Sequence, residues 1–498
     1  MQPIELHRVL GRTESVCPEC LARVPAVRIE RGDDVYLRKR CPEHGATETI
    51  VWRGRPAYRT WARPKVPAHP VQPERRVDRG CPLDCGLCPD HRQQSCCVLL
   101  EVTLRCDLRC PFCFASAGTR GRDPDLATLE TRLARLMDAA GPVNLQLSGG
   151  EPCVRDDLPV VAAMARAMGF PFIQVNSNGL RLGRDPVFAR RLRDSGVATV
   201  FLQFDGTRDA IHERTRGRAL MAAKRAAIRT CGEAGLGVVL VPVVIPGVND
   251  ADLGEIVRFG LDNQPTVRGV HFQPVSYFGR YPSAPTDADR ITLPEIIARL
   301  EAQTDGLVRM EHFQPAGAEN AMCSFNGNFV SMPDGSLVPL TRFRPAEACC
   351  APAAAAPAIG PAPAHVRAVL PVVAVSPCCG PDAPETTAPP GIHPTGAEGD
   401  VARARDFVAR NWAAAPAAEP LPEAPSFGGW DVFLQRRRSH GFCISGMAFQ
   451  DAWTMDLDRV RDCHIHVARL DGATIPFCAF NLTSADGLSL YRAPTADA

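Results

Sequence analysis

The chain lacks the long apolar runs that enter or cross membranes. No stretch of about 18 apolar residues is free of charge or proline, so a spanning helix is not expected. The opening MQPIELHRVLGRTESV holds no apolar segment long enough for a signal peptide. Charge of either sign is also not in excess: 56 Lys and Arg stand against 55 Asp and Glu, a formal net charge of +1. Without a continuous basic run to follow a phosphate backbone, no nucleic-acid partner is expected. Apolar residues make up 45% of 498 positions, enough for a normal buried core, and the length points to about three domains.

Cysteine is abundant. There are 21, an odd number, most of them at the short spacings of metal sites. Disulfide staples belong to small oxidised domains, whereas a large chain without an export signal is expected in a reducing cytoplasm, where closely spaced thiols act as ligands.

The organisation follows from composition and periodicity. Residues 1–60 carry CPEC at 17–20 and CPEH at 41–44 around alternating segments, a small metal-binding unit with a hairpin between two ligand-bearing turns. Such a unit is too small to be held by apolar burial alone, and a metal supplies the missing stability. Residues 61–96 read as a Pro/Arg-rich linker and a ligand-dense segment, CPLDCGLCPDHRQQSCC. From residue 97 to about 330, segments such as CVLLEVTL, VNLQLSGG, FIQVNSNG, TVFLQFDG, GVVLVPVV and VRGVHFQP alternate with helical patterns. Six strand–helix alternations predict an α/β fold, a partial (β/α)6 TIM-like barrel with its site at the strand ends. Residues 331–425 form a connector whose Ala/Pro/Gly content predicts a mainly flexible insert, with VRAVLPVVAV as a strand candidate inside it. Residues 426–498 make a C-terminal cysteine-bearing extension.

The segment EVTLRCDLRCPFCFASAG sets Cys106, Cys110 and Cys113 in a C-x3-C-x2-C pattern directly after a strand. Three thiolates hold three irons of a [4Fe-4S] cube and leave the fourth open to a chelating small molecule. Taken alone, the spacing also suits a structural zinc or a closed electron-transfer cluster. CPLDCGLC repeats the spacing with Cys81, Cys85 and Cys88, and Cys96 closes an auxiliary [4Fe-4S] cluster, with Cys97 as the competing fourth ligand and zinc as the competing metal. Cys17, Cys20, Cys41 and His44 have Cys3His spacing for one zinc or one iron. Cys323, Cys443, Cys463 and Cys478 lie on separate turns as ligands of a further cubane, or as buried free cysteines. His464 and His466 are alternative ligands there, or satisfied histidines near the site. The pairs Cys349–Cys350 and Cys378–Cys379 have no pattern that orients them.

With these motifs in place, the chain resembles the radical S-adenosylmethionine (SAM) superfamily over roughly residues 97–280. Phe112 fills the aromatic position before the last cysteine, and SGGEP at 148–152 ends the next strand. The resemblance implies a catalytic [4Fe-4S] cluster on Cys106, Cys110 and Cys113 that binds SAM and yields a 5′-deoxyadenosyl radical. It also implies that Gly149 and Gly150 approach the methionine amino group, that Glu151 stabilises the turn, and that VPVVIPGVND contacts adenine. Asn176, Asn178, Gln203 and Asp205 would line the adenosine or substrate side. The N-terminal CPEC…CPEHG unit, the Cys81 segment and the C-terminal ISGMAFQDAW…IPFCAFNLT resemble one subgroup, which contains archaeal tetraether lipid synthase and class D radical SAM methyltransferases.

That likeness implies methylation of an unactivated carbon, with a methylenetetrahydrofolate-type donor and electrons passed through auxiliary clusters. The other outcome in the subgroup is coupling of lipid sp³ carbons, and a peptide-modifying maturase is the competing class. The implied partners are a small-molecule or lipid substrate and an electron donor such as ferredoxin or flavodoxin. No D-x-H-x-x-G segment marks a cobalamin site, which disfavours methyl transfer through that cofactor.

Overall fold

The computed structural model describes residues 8–62, 68–70, 76–119, 121–343, 397–415, 429–469 and 472–492. VRAVLPVVAV and the cysteines at 349, 350, 378 and 379 lie outside the described residues. Four antiparallel strands open the chain: β1 (Arg8–Val16), β2 (Arg23–Arg31), β3 (Asp34–Cys41) and β4 (Gly45–Trp52). They pair in sequence order, so β2 and β3 form a hairpin flanked by the two ligand-bearing turns. Period-2 burial along β3 turns Val35, Leu37 and Lys39 inward. This unit is tied to the C-terminal part of the chain. Arg28 Nε donates to Asp456 at 2.6 Å, Ser15 Oγ to the Met455 carbonyl at 2.6 Å, and Lys39 Nζ to the Ala452 carbonyl at 2.6 Å.

The core is a run of parallel strands, β5 (Cys97–Thr103), β6 (Asn144–Gly149), β7 (Ile173–Ser177), β8 (Val197–Gln203) and β9 (Gly237–Val241). After the two-residue β10 (Val243–Val244), β11 (Val267–Pro274) pairs in parallel with β9 and completes the six-strand pattern. Buried on both faces, these strands read as near-continuous apolar runs. The intervening helices are α1 (Leu126–Ala140), α2 (Leu158–Ala167), α3 (Leu180–Arg184), α4 (Pro186–Asp194), α5 (Asp209–Arg216), α6 (Met221–Ala234), α7 (Leu253–Asp262) and α8 (Leu293–Gln303). α1 shows the local logic. Asp125 caps its start by accepting from Thr128 N, Leu129, Leu133 and Leu136 make one buried face, and Gly141 at φ 67° ends it.

The C-terminal chain extends both edges of the core sheet. Beyond β12 (Gln314–Pro315), β13 (Ser324–Ser331) and β14 (Leu337–Pro339), strand β15 (Gly441–Met447) lies parallel to β11 and antiparallel to β13. At the opposite edge β16 (Ile465–Ala468) runs parallel to β5, and β17 (Thr474–Pro476) pairs with β16. The path is β12-β13-β15-β11-β9-β8-β7-β6-β5-β16-β17. The chain also carries α9 (Ala397–Trp412), α10 (Gly429–Ser439), α11 (Leu457–Arg461) and α12 (Phe477–Phe480).

α9 departs from the expectation of a mainly flexible segment. Averaged over 331–425 the composition is Ala/Pro-rich, yet 397–412 contains no proline and forms a regular helix. Its Trp412 carbonyl accepts from Thr199 Oγ1 at 2.6 Å, and the Trp412 ring packs 4.8 Å from Phe201. No helix among the described residues is long and apolar enough to cross a membrane.

Candidate active site

The C-terminal ends of the parallel strands border a cavity of about 680 Å³, lined by Cys106, Cys110 and Cys113 together with Gly149, Gly150, Glu151, Asn176, Asn178 and Gln203. The cysteine loop leaves β5 and is fastened at several points. Cys106 N donates to the Gly118 carbonyl at 2.7 Å, and Cys113 N to the Arg280 carbonyl at 2.9 Å. Arg280 returns Nε to the Cys110 carbonyl at 2.9 Å and Nη1 to the Ala117 carbonyl at 3.1 Å. Phe112 packs edge-on against Tyr277 at 6.1 Å. Three thiols on one anchored loop, facing a cavity, fit a cluster with a position left for an exogenous ligand. Burial pushes the Cys106 thiol up to about 12, so iron must displace its proton for it to ligate.

The SGGEP turn is built to touch that loop. Gly149 has φ +118°, and a side chain there would meet the Thr103 carbonyl oxygen; one at Gly150 would meet the Arg105 carbonyl oxygen. Their absence lets Gly150 N reach Thr103 O at 2.8 Å and Glu151 N reach Arg105 O at 2.9 Å. Glu151 is buried and accepts from Cys153 N at 3.0 Å, Ser177 Oγ at 2.9 Å and Asn178 N at 2.6 Å, which joins the ends of β6 and β7. Burial raises its carboxyl above the ordinary range, although those hydrogen bonds oppose the shift.

The four strand-end polar residues differ in role. Asn176 and Gln203 line the cavity, and Asn176 Nδ2 donates to Ser148 Oγ at 3.2 Å. Asn178 borders the cavity but spends its amide on Asp107 Oδ1 at 2.7 Å. Asp205 does not line the cavity. It is wholly buried and holds Arg216, accepting from Nε at 2.5 Å and Nη2 at 2.8 Å. Arg216 and Cys110 both line the cavity, and Asp205 holds the guanidinium in place, which puts a fixed positive charge beside the cysteine loop. The sequence reading missed Arg216 because it lies on α5, eleven residues beyond its partner; the HERTRG run at a helix end was the available signal.

The comparisons with known proteins agree with this geometry. The Radical SAM superfamily profile matches residues 100–260, and the HMPTM N-terminal zinc ribbon domain matches residues 9–53. The 7,8-dihydro-6-hydroxymethylpterin dimethyltransferase of Methanocaldococcus jannaschii is 32% identical over 508 aligned positions, covering 94% of this chain and 93% of that protein. The chain belongs to the radical SAM superfamily. A GTP 3′,8-cyclase of Acidothermus cellulolyticus is 32% identical over 213 positions, which is 41% of this chain and 57% of the cyclase. Among solved structures, Streptococcus suis SuiB bound to precursor peptide SuiA has 17% identity and a TM-score of 0.36, covering 43% of this chain and 46% of that one.

The remaining cysteines of this radical SAM enzyme fall into separate places. Cys17, Cys20, Cys41 and His44 have all four donor atoms within 4.8 Å of one another, single-ion spacing on two turns of the zinc-ribbon segment. Cys41 Sγ lies 3.5 Å from His44 Nδ1, and that contact is the main cause that brings the thiol down to about 6. Cys81, Cys85 and Cys88 border a small pocket with His91, Val460 and Arg461. Cys96 is not in that pocket; it packs on Ala68 and Ala404 and, with Cys97, lines the large cavity.

At the C-terminal end, Cys323, Cys463 and Cys478 influence one another, and Arg459 Nε donates to Cys323 Sγ at 3.4 Å. Cys443 is not brought to them. It pairs with Asn328 along β13, four residues beyond Ser324, and lines the large cavity. His464 lies 3.5 Å from Glu319 at the cavity wall, and His466 packs between Ser95 and His91.

Proposed function

We propose that the chain is a methyltransferase that adds a methyl group to an unactivated carbon of a small heterocyclic substrate of the pterin type, with a methylenetetrahydrofolate-type compound as the one-carbon source. The single observation that carries this reading is the 32% identity to the dimethyltransferase along 94% of the chain, which spans the zinc ribbon, both C-x3-C-x2-C motifs and the C-terminal cysteines. Cys106, Cys110 and Cys113 would hold the catalytic [4Fe-4S] cluster, which when bound would supply the electron for reductive cleavage of SAM.

The chain's own residues prepare the site for that chemistry. Arg280 and the SGGEP turn hold the cysteine loop in one conformation, and the Asp205–Arg216 pair fixes a cation against it. Trp412, Phe407 and Phe201 give the cavity an aromatic wall, suited to a flat heterocycle. Gln146, Asn176, Gln273 and Asn326 offer amide donors and acceptors for its edges. The test is product analysis under anaerobic conditions with SAM, a reductant, a dihydropterin and methylenetetrahydrofolate. The reading expects a pterin product heavier by one or two methylene units; 5′-deoxyadenosine formed with no such product would overturn it.

A further inference from the structure

We infer that His91 is the fourth ligand of the auxiliary site on Cys81, Cys85 and Cys88, binding through Nδ1. This assignment does not depend on which substrate is methylated. Cys88 and His91 share one tight turn, in which His91 N donates to the Cys88 carbonyl at 2.9 Å. That turn folds the imidazole back onto the pocket bordered by the three cysteines. His91 is only 4% exposed, so its ring faces protein on nearly every side.

The tautomer follows from its partner. His91 Nε2 lies 2.8 Å from the Cys463 carbonyl oxygen, which can only accept, so Nε2 carries the proton. In the neutral ring the lone pair then sits on Nδ1. A ligating histidine that donates its other N–H to a backbone carbonyl is the usual way a metal site fixes ring orientation and raises ligand basicity. The arrangement is supported from behind. His466 Nε2 lies 3.3 Å from His91 Nε2, and His466 Nδ1 is 3.0 Å from Ser95 Oγ.

The competing ligand is poorly placed. Cys96 packs on Ala68 and Ala404 and lines the large cavity instead of the pocket of Cys81, Cys85 and Cys88. The metal is iron–sulfur in this assignment. Among the described residues, the zinc-ribbon set is the group whose donors converge within single-ion distance, and the Cys81 set does not gather that way. His91 also touches the C-terminal cysteine group through the Cys463 carbonyl, which gives the two groups of cysteines a hydrogen-bonded connection.

The experiment uses full-length protein with Cys106, Cys110 and Cys113 changed to alanine, so that no nitrogen from SAM can couple to a cluster. Iron content and hyperfine spectra of the reduced protein are compared for this parent and for added His91→Cys, Cys96→Ala or Cys81→Ala. The expected result is a nitrogen coupling in the parent that changes on ¹⁵N-histidine labelling and disappears in His91→Cys with iron retained. Cys96→Ala should match the parent, and Cys81→Ala should lose one cluster's iron. Absence of histidine coupling in the parent, its survival in His91→Cys, iron lost in Cys96→Ala, or iron unchanged in Cys81→Ala would each overturn the assignment.

Discussion

Replacing Asp205 by asparagine tests how the cation beside the cysteine loop is held. Asp205 is wholly buried and receives four hydrogen bonds: Arg216 Nε at 2.5 Å, Arg216 Nη2 at 2.8 Å, Thr215 Oγ1 at 3.0 Å and Val243 N at 3.1 Å. Asparagine keeps the shape but removes the charge, which leaves the Arg216 guanidinium, 4% exposed, without a counter-ion. Breaking a buried pair from one side costs about 3–5 kcal/mol. At about 1.4 kcal/mol per tenfold, local opening of β8 and α5 becomes roughly two to four orders of magnitude more frequent.

Hydrogen exchange by mass spectrometry on peptides covering 197–216 measures that change. Changing Arg216 to glutamine as well should restore much of the protection, because no buried charge then lacks a partner. Burial pushes the Asp205 carboxyl up, but the charge and hydrogen bonds of Arg216 outweigh it and hold the group below its ordinary 3.8. For an acid so depressed, the stabilisation is fully present above pH 3.8 and is lost as pH falls through the lower native value. Asp205→Asn exchange within about threefold of the parent, roughly 0.7 kcal/mol, would refute the claim that the pair supports this wall.

Three other outcomes follow from particular contacts. Changing Cys17 or Cys41 to serine should release the N-terminal metal and raise hydrogen exchange across 9–53 by at least about tenfold, with the Cys106 cluster still assembling. Gly149→Ala forces a side chain into the Thr103 carbonyl at φ +118°, costing about 2–5 kcal/mol of strain and overpacking, and should lower cluster occupancy as read by iron content. Burial holds His271 near 4 instead of 6.5, so its contribution to stability is complete above pH 6.5 and falls away as pH drops toward 4. NMR of ¹⁵N-labelled histidines should show it neutral at pH 5.

The radical core was legible because its signals are local. Each strand is a short apolar run closed by glycine or a polar residue, and Cys106, Cys110 and Cys113 lie within one eight-residue loop. Cys17, Cys20, Cys41 and His44 were legible for the same reason, since two turns of one meander supply all four. What escaped depends on distant pairings. Nothing in GFCISGM or in HIHVA states that one joins β11 and the other β5, at opposite edges of the sheet. That placement decides that Cys443 faces the large cavity while Cys463 and Cys478 lie near enough to Cys323 to feel its charge. Cysteine spacing likewise could not show that Cys96 lines the large cavity or that His91 borders the pocket of Cys81, Cys85 and Cys88, because a turn and a carbonyl 372 residues away set the position of His91. Composition averaged over the connector concealed α9, a proline-free helix within a proline-rich region.

Two identical cysteine spacings compete for the role of cleaving SAM. Two triple variants separate them: Cys106, Cys110 and Cys113 to alanine, and Cys81, Cys85 and Cys88 to alanine. Each is reconstituted anaerobically and given SAM and dithionite, and 5′-deoxyadenosine is measured chromatographically. The account predicts no 5′-deoxyadenosine from the first variant, and measurable cleavage with impaired substrate turnover from the second. Cleavage that persists in the Cys106 variant and disappears in the Cys81 variant would contradict it.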